Sequence, residues 1–288
     1  MTGILIVIGL IALLLSGIPI FAALLLTGSA VLFFFEGSVE SVADTVFAHL
    51  NSPVLLTIPL FILMAQLMIR SGAVDDLFGM ANTLIGHVKG GIGVATILSC
   101  TIFAAISGSS VATAVSIGQT AIPQMKRYGF PERSALGLVA AGGTLGILIP
   151  PSGPMILYAV VANASIGALF LAGIIPGLLL ALALSITAWL VARKRGYPTE
   201  PFPGFGRVGY YLLQSLPGML LIAIIFGGVR SGMFTATESS CVAVVYALRV
   251  TALVYRSLAW SDFVHATQQA VRTTAMVLLI IGMAGAFG

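Results

Sequence analysis

Two short runs in this 288-residue chain combine hydroxyls, glycines and prolines so as to expose backbone oxygens. The first is Ser107-Gly108-Ser109-Ser110. The second is Gly142-Gly143-Thr144-Leu145-Gly146-Ile147-Leu148-Ile149-Pro150-Pro151-Ser152. Both lie in stretches free of Asp, Glu, Lys and Arg, residues 90 to 125 and 134 to 192. No continuous helix survives Pro150, Pro151 and Pro154, and small polar residues halfway along an apolar run mark a tip where two half-length helices meet. Inside a bilayer, such freed backbone groups are tolerated only where they are buried in protein or line a cavity. Hydroxyl and carbonyl oxygens together suit a small hard cation such as sodium, and half-helix N-termini at the same place favour an anionic substrate group. Ser107, Gly108, Ser109, Ser110, Gly142, Gly143, Thr144, Gly146, Pro150, Pro151 and Ser152 are therefore the candidate sodium- and substrate-binding residues, with no transition metal expected. A third run, Thr235-Ala236-Thr237-Glu238, sets an acid near the start of a span. Thr235, Thr237 and Glu238 are either a further contribution to that site or a helix-capping box, and the sequence supports both equally.

Other chemistries find little support. His49, His87 and His265 fall in connections or surface helices, and the chain has no HExxH, GxxxxGK[ST] or GxGxxG run. It carries no loop with which to hydrolyse ATP. An intramembrane serine hydrolase on Ser109 or Ser110 would need an embedded base, which is missing, and remains a remote alternative. A sodium or proton antiporter, the nearer alternative, would carry a buried Asp or Glu at the break, and neither stretch has one. Cys100 and Cys241 sit in apolar stretches and read as packing residues. No cofactor is expected beyond sodium as a coupling ion.

The elements that must position these residues follow from composition. Hydrophobic residues make up 59% of the chain, charged ones only 8%, and the mean hydropathy is +1.11, whereas a soluble domain is roughly 25% charged. A spanning helix needs about 20 apolar residues, and the alternation of β-spans is absent. The class is an all-α polytopic membrane protein. Residues 1 to 35, interrupted by Ser16-Gly17-Ile18-Pro19, form one kinked helix or two short ones. With no basic n-region or cleavage site, this first segment is expected to insert and stay. Residues 36 to 52 read as a polar connection, 53 to 69 as a span ending on Arg70, and 73 to 89 as a helix along the membrane surface. A re-entrant hairpin follows at 90 to 125 and a broken span at 134 to 165. Next come a span at 166 to 192, a Pro/Gly-rich loop at 196 to 209, and spans at 212 to 229 and 235 to 255. An amphipathic stretch at 257 to 272 and an apolar run at 273 to 288 close the chain. Arg70, Lys89, Lys126, Arg127, Arg133, Arg193, Lys194, Arg195 and Arg207 all fall on one face, which the positive-inside rule makes cytoplasmic. The net charge of +4 therefore reports topology in a lipid bilayer and implies no nucleic acid.

Ile106 to Ser110, Gly142 to Ser152 and Gly232-Met233-Phe234-Thr235-Ala236-Thr237-Glu238 resemble the large membrane subunit (M subunit, DctM-like) of tripartite ATP-independent periplasmic (TRAP) transporters. The likeness runs along essentially the whole chain. It implies an elevator-type, sodium-coupled importer of organic acids such as C4-dicarboxylates or sialic-acid-like carboxylates. It also implies a small four-helix membrane subunit, a periplasmic substrate-binding protein, the bacterial inner membrane, and a fold of two related repeats. On that plan, 1–89 is a first scaffold segment with a surface arm, and 90–165 is half of the transport domain. Residues 166–272 are a second scaffold segment with its arm, and 273–288 begin a second hairpin that is cut short, as in a piece of a longer protein. The order span, surface helix, apolar run indeed recurs after about 180 residues. One conflict stands: inverted repeats need an odd number of crossings between hairpins, and four are counted here (134 to 165, 166 to 192, 212 to 229, 235 to 255).

Overall fold

The computed structural model describes residues 2–36, 40–199 and 201–287. Every regular element among them is a helix. The chain divides into two compact units, Met1–Leu56 with Ala270–Gly288, and Thr57–Gln269.

In the smaller unit, the break at Ser16 to Pro19 gives two helices, α1 (Thr2–Leu15) and α2 (Ile20–Glu36). Gly17 turns the chain with φ 82°, and the Pro19 carbonyl accepts from Ala22 and Ala23. The stretch read as a polar connection, 36 to 52, instead contains a helix, α3 (Glu40–Leu50); residues 37 to 39 and the side chains of Glu36 and Glu40 lie outside the described residues. Two polar side chains of α3 return to their own helix, Thr45 bonding the Ser41 carbonyl and His49 the Thr45 carbonyl. Its Val46 and Leu50 close onto Gly282, where a Cβ would be tight, and His49 onto Gly285, where a Cβ would collide.

The larger unit is built around α6 (Gly91–Ser107), with α4 (Thr57–Arg70), α5 (Ala73–Ile85), α7 (Ser110–Arg127), α8 (Glu132–Gly143), α9 (Leu145–Leu148) and α11 (Ile166–Arg195) packed about it. Phe78, Phe103, Phe170, Met64, Leu67 and Ile97 are fully buried there. Glycines set the close approaches, as small residues do in membrane bundles. A Cβ at Gly142 would lie 2.7 Å from Cys100 Sγ, and one at Gly93 3.3 Å from Leu138. The broken span is completed by α10 (Gly153–Val161), and α12 (Phe205–Arg230) and α13 (Ala236–Arg249) follow. A π-helical turn at Val250–Val254 extends α13. Among the described residues, five stretches are long and apolar enough to cross a membrane: Pro53–Arg70, Glu132–Val161, Ile166–Arg195, Phe205–Arg230 and Ala236–Val254.

Helices α4 and α13 run side by side in the same direction. At their N-terminal ends Thr57 and Thr237 share a hydroxyl hydrogen bond of 3.0 Å, 180 residues apart in sequence. Just past their C-terminal ends Ser257 donates to the Ser71 carbonyl at 3.4 Å, and Arg70 meets Asp262 at 3.5 Å. Three spanning stretches lie between them, Glu132–Val161, Ile166–Arg195 and Phe205–Arg230, and an odd number of crossings gives this parallel alignment. The stretches read separately as 257 to 272 and 273 to 288 join in one continuous 28-residue helix, α14 (Trp260–Phe287). Polarity changes at that point, but no Gly or Pro lies between Trp260 and Ile281 to end a helix.

Candidate functional site

The hairpin is present, with legs α6 and α7. Helix α6 stops because Gly108 takes the left-handed conformation, φ 59° and ψ 15°, and returns its amide to the Ala104 carbonyl. Ser109 is extended and caps α7, its hydroxyl accepting from the Ala112 amide at 3.4 Å. Ser107 meets Thr113 across the tip, hydroxyl to hydroxyl, at 2.6 Å. Ser110 Oγ is buried and has no hydrogen-bond partner.

The span at 134 to 165 breaks twice, as its glycines and prolines require. Helix α8 ends at Gly143, and the Thr144 hydroxyl turns back to the Ala141 carbonyl at 2.6 Å. After the single turn of α9, Ile149 is extended and the Pro150–Pro151 peptide is cis. Ser152, almost fully buried, then caps α10 by accepting from the Met155 amide. Ser109 and Ser152 thus share one backbone geometry and one role.

The tip and the break touch through glycine. A Cβ on Gly108 would strike the Pro151 carbonyl oxygen and lie 3.3 Å from Ser152 Cα. One on Gly146 would lie 2.5 Å from the Ser109 carbonyl carbon, and one on Gly143 3.1 Å from the Ser110 carbonyl oxygen. The C-terminal ends of α6 and α9 and the N-terminal ends of α7 and α10 therefore gather in one place, where helix ends hold backbone carbonyls and amides without intrahelical partners. Of the predicted residues, Gly108, Ser109, Ser110, Gly143, Gly146, Pro151 and Ser152 meet here, with Ser107 bonded across the tip, whereas Gly142 packs against Cys100 and Ile97 of α6 and the Thr144 hydroxyl is used within its own turn. The cluster adds Thr113, wholly buried, which sequence reading missed; its position six residues after Ser107, on the return leg of a hairpin, was the available signal.

The third predicted run does not join them. Thr235 and Glu238 form a reciprocal capping box, the Glu238 carboxylate accepting from the Thr235 amide at 2.8 Å and Thr235 Oγ1 accepting from the Glu238 amide at 3.3 Å. Thr237 is held by Thr57. Capping, of the two readings open for Glu238, is the one its geometry satisfies.

A second polar place was also illegible in sequence. A cavity of about 510 Å³ opens where α5, α7 and α12 approach, lined by Asp75, Asp76, Asn82, Thr120, Gln124 and Arg207 among others. Asp75 accepts from Thr120 of the hairpin leg at 2.6 Å. Burial pushes the neighbouring Asp76 above the ordinary carboxylate range, the Asp75 charge adds to this, and a hydrogen bond from Tyr255 works against it. The single Tyr255 hydroxyl proton is shared with the Gln214 carbonyl, at 3.0 Å.

Known proteins place this geometry. The family model described as tripartite ATP-independent periplasmic transporter, DctM component, matches residues 7–288. The C4-dicarboxylate TRAP transporter large permease protein DctM of Pseudomonas aeruginosa is 40% identical over 257 residues, 89% of this chain and 60% of that protein. Its counterpart in Rhodobacter capsulatus is 37% identical, over 94% of this chain and 65% of its own length. The sialic acid TRAP transporter large permease protein SiaM of Vibrio cholerae is 36% identical, over 97% and 66%. The chain thus spans slightly less than two thirds of the length of these relatives. With its family model matched almost end to end and its polytopic all-helical fold, the chain belongs to the DctM family of TRAP transporter large permeases.

Proposed function

We propose that this chain works in a sodium-coupled, binding-protein-dependent importer of organic acids in the bacterial inner membrane, and that sodium binds where the hairpin tip meets the broken span. The observation that carries this reading is Ser110 Oγ, a buried hydroxyl with no partner at a junction of four helix ends. Leaving such a group unsatisfied costs about 1–3 kcal/mol, and a cation coordinated by it and by neighbouring carbonyls would remove that cost. The donor set is neutral oxygen throughout, which fits a monovalent ion better than a divalent one. The amide ends of α7 and α10 lie beside it and would favour a substrate carboxylate. Residues 90–165 are then one half of the moving domain, and the flanking helices are scaffold.

Sodium is here a co-transported substrate. Each ion carried inward across 100 mV releases roughly 2.3 kcal/mol, worth about fifty-fold in substrate concentration. The partners on this reading are a small four-helix membrane subunit and a soluble periplasmic binding protein that delivers the acid. C4-dicarboxylates and sialic acid are among the varied substrates that relatives' names supply, beside 2,3-diketo-L-gulonate, ectoine and isethionate.

The test is uptake by the complete transporter, with its partner subunits, against external sodium. Ser109→Ala, Ser110→Ala and Thr144→Ala should each raise the sodium concentration for half-maximal uptake. Unchanged sodium dependence in all three would remove the site.

A further inference from the structure

The feet of the hairpin stand in a ring of positive charge that the transport reading does not use. Lys89 precedes α6, Lys126 and Arg127 end α7, Arg133 opens α8, and Arg193, Lys194 and Arg195 end α11. Packing brings these four helix ends together. A Cβ on Gly90 would collide with Ala192, so Lys89 and Arg193 are neighbours. Arg195 reaches Ser134 at 3.5 Å, and the Phe130 and Tyr197 rings lie 4.1 Å apart, closing the ring between α11 and the α7–α8 turn.

All seven cations are exposed. Among the described residues the acid that meets them is Glu132, which pairs with Lys126 at 3.3 Å. Like charges crowded at the edge of a low-dielectric bilayer repel one another unless anions sit among them.

The surface beside the ring is apolar. Val88, Leu136, Leu190 and Val191 are exposed one or a few residues inward from the cations. Trp189 lies under Arg193 at 5.3 Å, and Tyr197 completes an aromatic level of the kind found at headgroup depth. A ligand that fills the whole surface needs an anionic head and hydrocarbon tails.

We propose that this collar at the foot of the hairpin is a binding site for phospholipids with anionic headgroups. An acidic protein segment would satisfy the charges but would leave the apolar belt uncovered, which is why a lipid is the better fit. The site would take a lipid headgroup where the ends of α6, α7 and α8 meet the end of α11.

Native mass spectrometry of the full native chain in neutral detergent, titrated with phosphatidylglycerol and with phosphatidylcholine, tests this. Phosphatidylglycerol should bind in preference. The triple variant Arg193→Gln, Lys194→Gln, Arg195→Gln should weaken it roughly a hundredfold, at about fivefold per basic residue near an anionic surface, with phosphatidylcholine unaffected. Should that variant fail to fold, the pair Arg127→Gln, Arg133→Gln should lose roughly thirtyfold by the same reckoning. Equal binding of the two lipids, or retention of the preference by a folded variant, overturns the proposal. So does an acidic polypeptide that co-purifies in stoichiometric amount and excludes phosphatidylglycerol.

Discussion

Gly146 and Gly137 lie within ten residues of each other and should respond to alanine in opposite ways. A Cβ at Gly146 meets the backbone of Ser109 and Ser110, which cannot swing aside, whereas nothing lies within 4 Å of one at Gly137. Gly146→Ala should therefore cost about 1–3 kcal/mol by overpacking and part the tip from the break. Gly137→Ala, in the interior of α8, should gain up to about 1 kcal/mol from helix propensity. Apparent melting temperatures in detergent compare the two directly. Thr113 offers a subtler contrast. Thr113→Val keeps the shape but deprives Ser107 of its 2.6 Å partner, a loss of about 1 kcal/mol, while Thr113→Ser keeps the hydroxyl. Hydrogen exchange at the Ser109 to Ala112 amides should speed up about fivefold in the first variant and stay near the native rate in the second. Asp76 adds a pH dependence. Its folded-state carboxyl sits above the ordinary value, so folding favours the protonated form relative to the unfolded chain. The stabilising contribution is complete below the unfolded-state value and is lost as pH rises through the folded one. The melting temperature of Asp76→Asn relative to the native chain should thus be highest near neutrality and converge with it as the pH falls into the carboxylate range.

At the scale of elements, the candidate site was the most legible part. Ser107 to Ser110 and Gly142 to Ser152 announced their breaks because glycine and proline act locally, through φ and a missing donor, whatever surrounds them. The errors arose where local polarity and tertiary context disagreed. Residues 40 to 50 look like a connection, yet α3 forms with Thr45 and His49 returning to its own carbonyls and two glycines of α14 receiving Val46, Leu50 and His49. The change of polarity near residue 272 looked like a boundary, but α14 continues through it. Direction was illegible for a further reason: a recurring order of elements carries no sign, and only Thr57 with Thr237 and Ser71 with Ser257 reveal that α4 and α13 are parallel. Replacing Thr57 with Val strands the Thr237 hydroxyl, which should cost about 1–3 kcal/mol. Changing both to Val should recover most of that loss, a pattern that a double-mutant cycle on melting temperature would detect.

For the molecule as a whole, the asymmetry of charge fixes an orientation. The turn after Arg195 should be cytoplasmic, and the turn at Ala162 to Ala164, at the far end of α11, should face the opposite side. Reporter fusions at these two places should give opposite signals, active in the cytoplasm at the first and beyond the membrane at the second; matching signals would contradict the assignment. The parallel pair has a further consequence, for how the chain is made. Thr57 enters the membrane long before Thr237 has been synthesised. At translation speeds of about 5–20 residues per second, their separation of 180 residues corresponds to a wait on the order of ten to forty seconds. During that interval α4 is exposed to lipid with its hydroxyl unpaired, so the bundle closes late, and insertion machinery or a neighbouring subunit has its opportunity to hold α4 before α13 arrives.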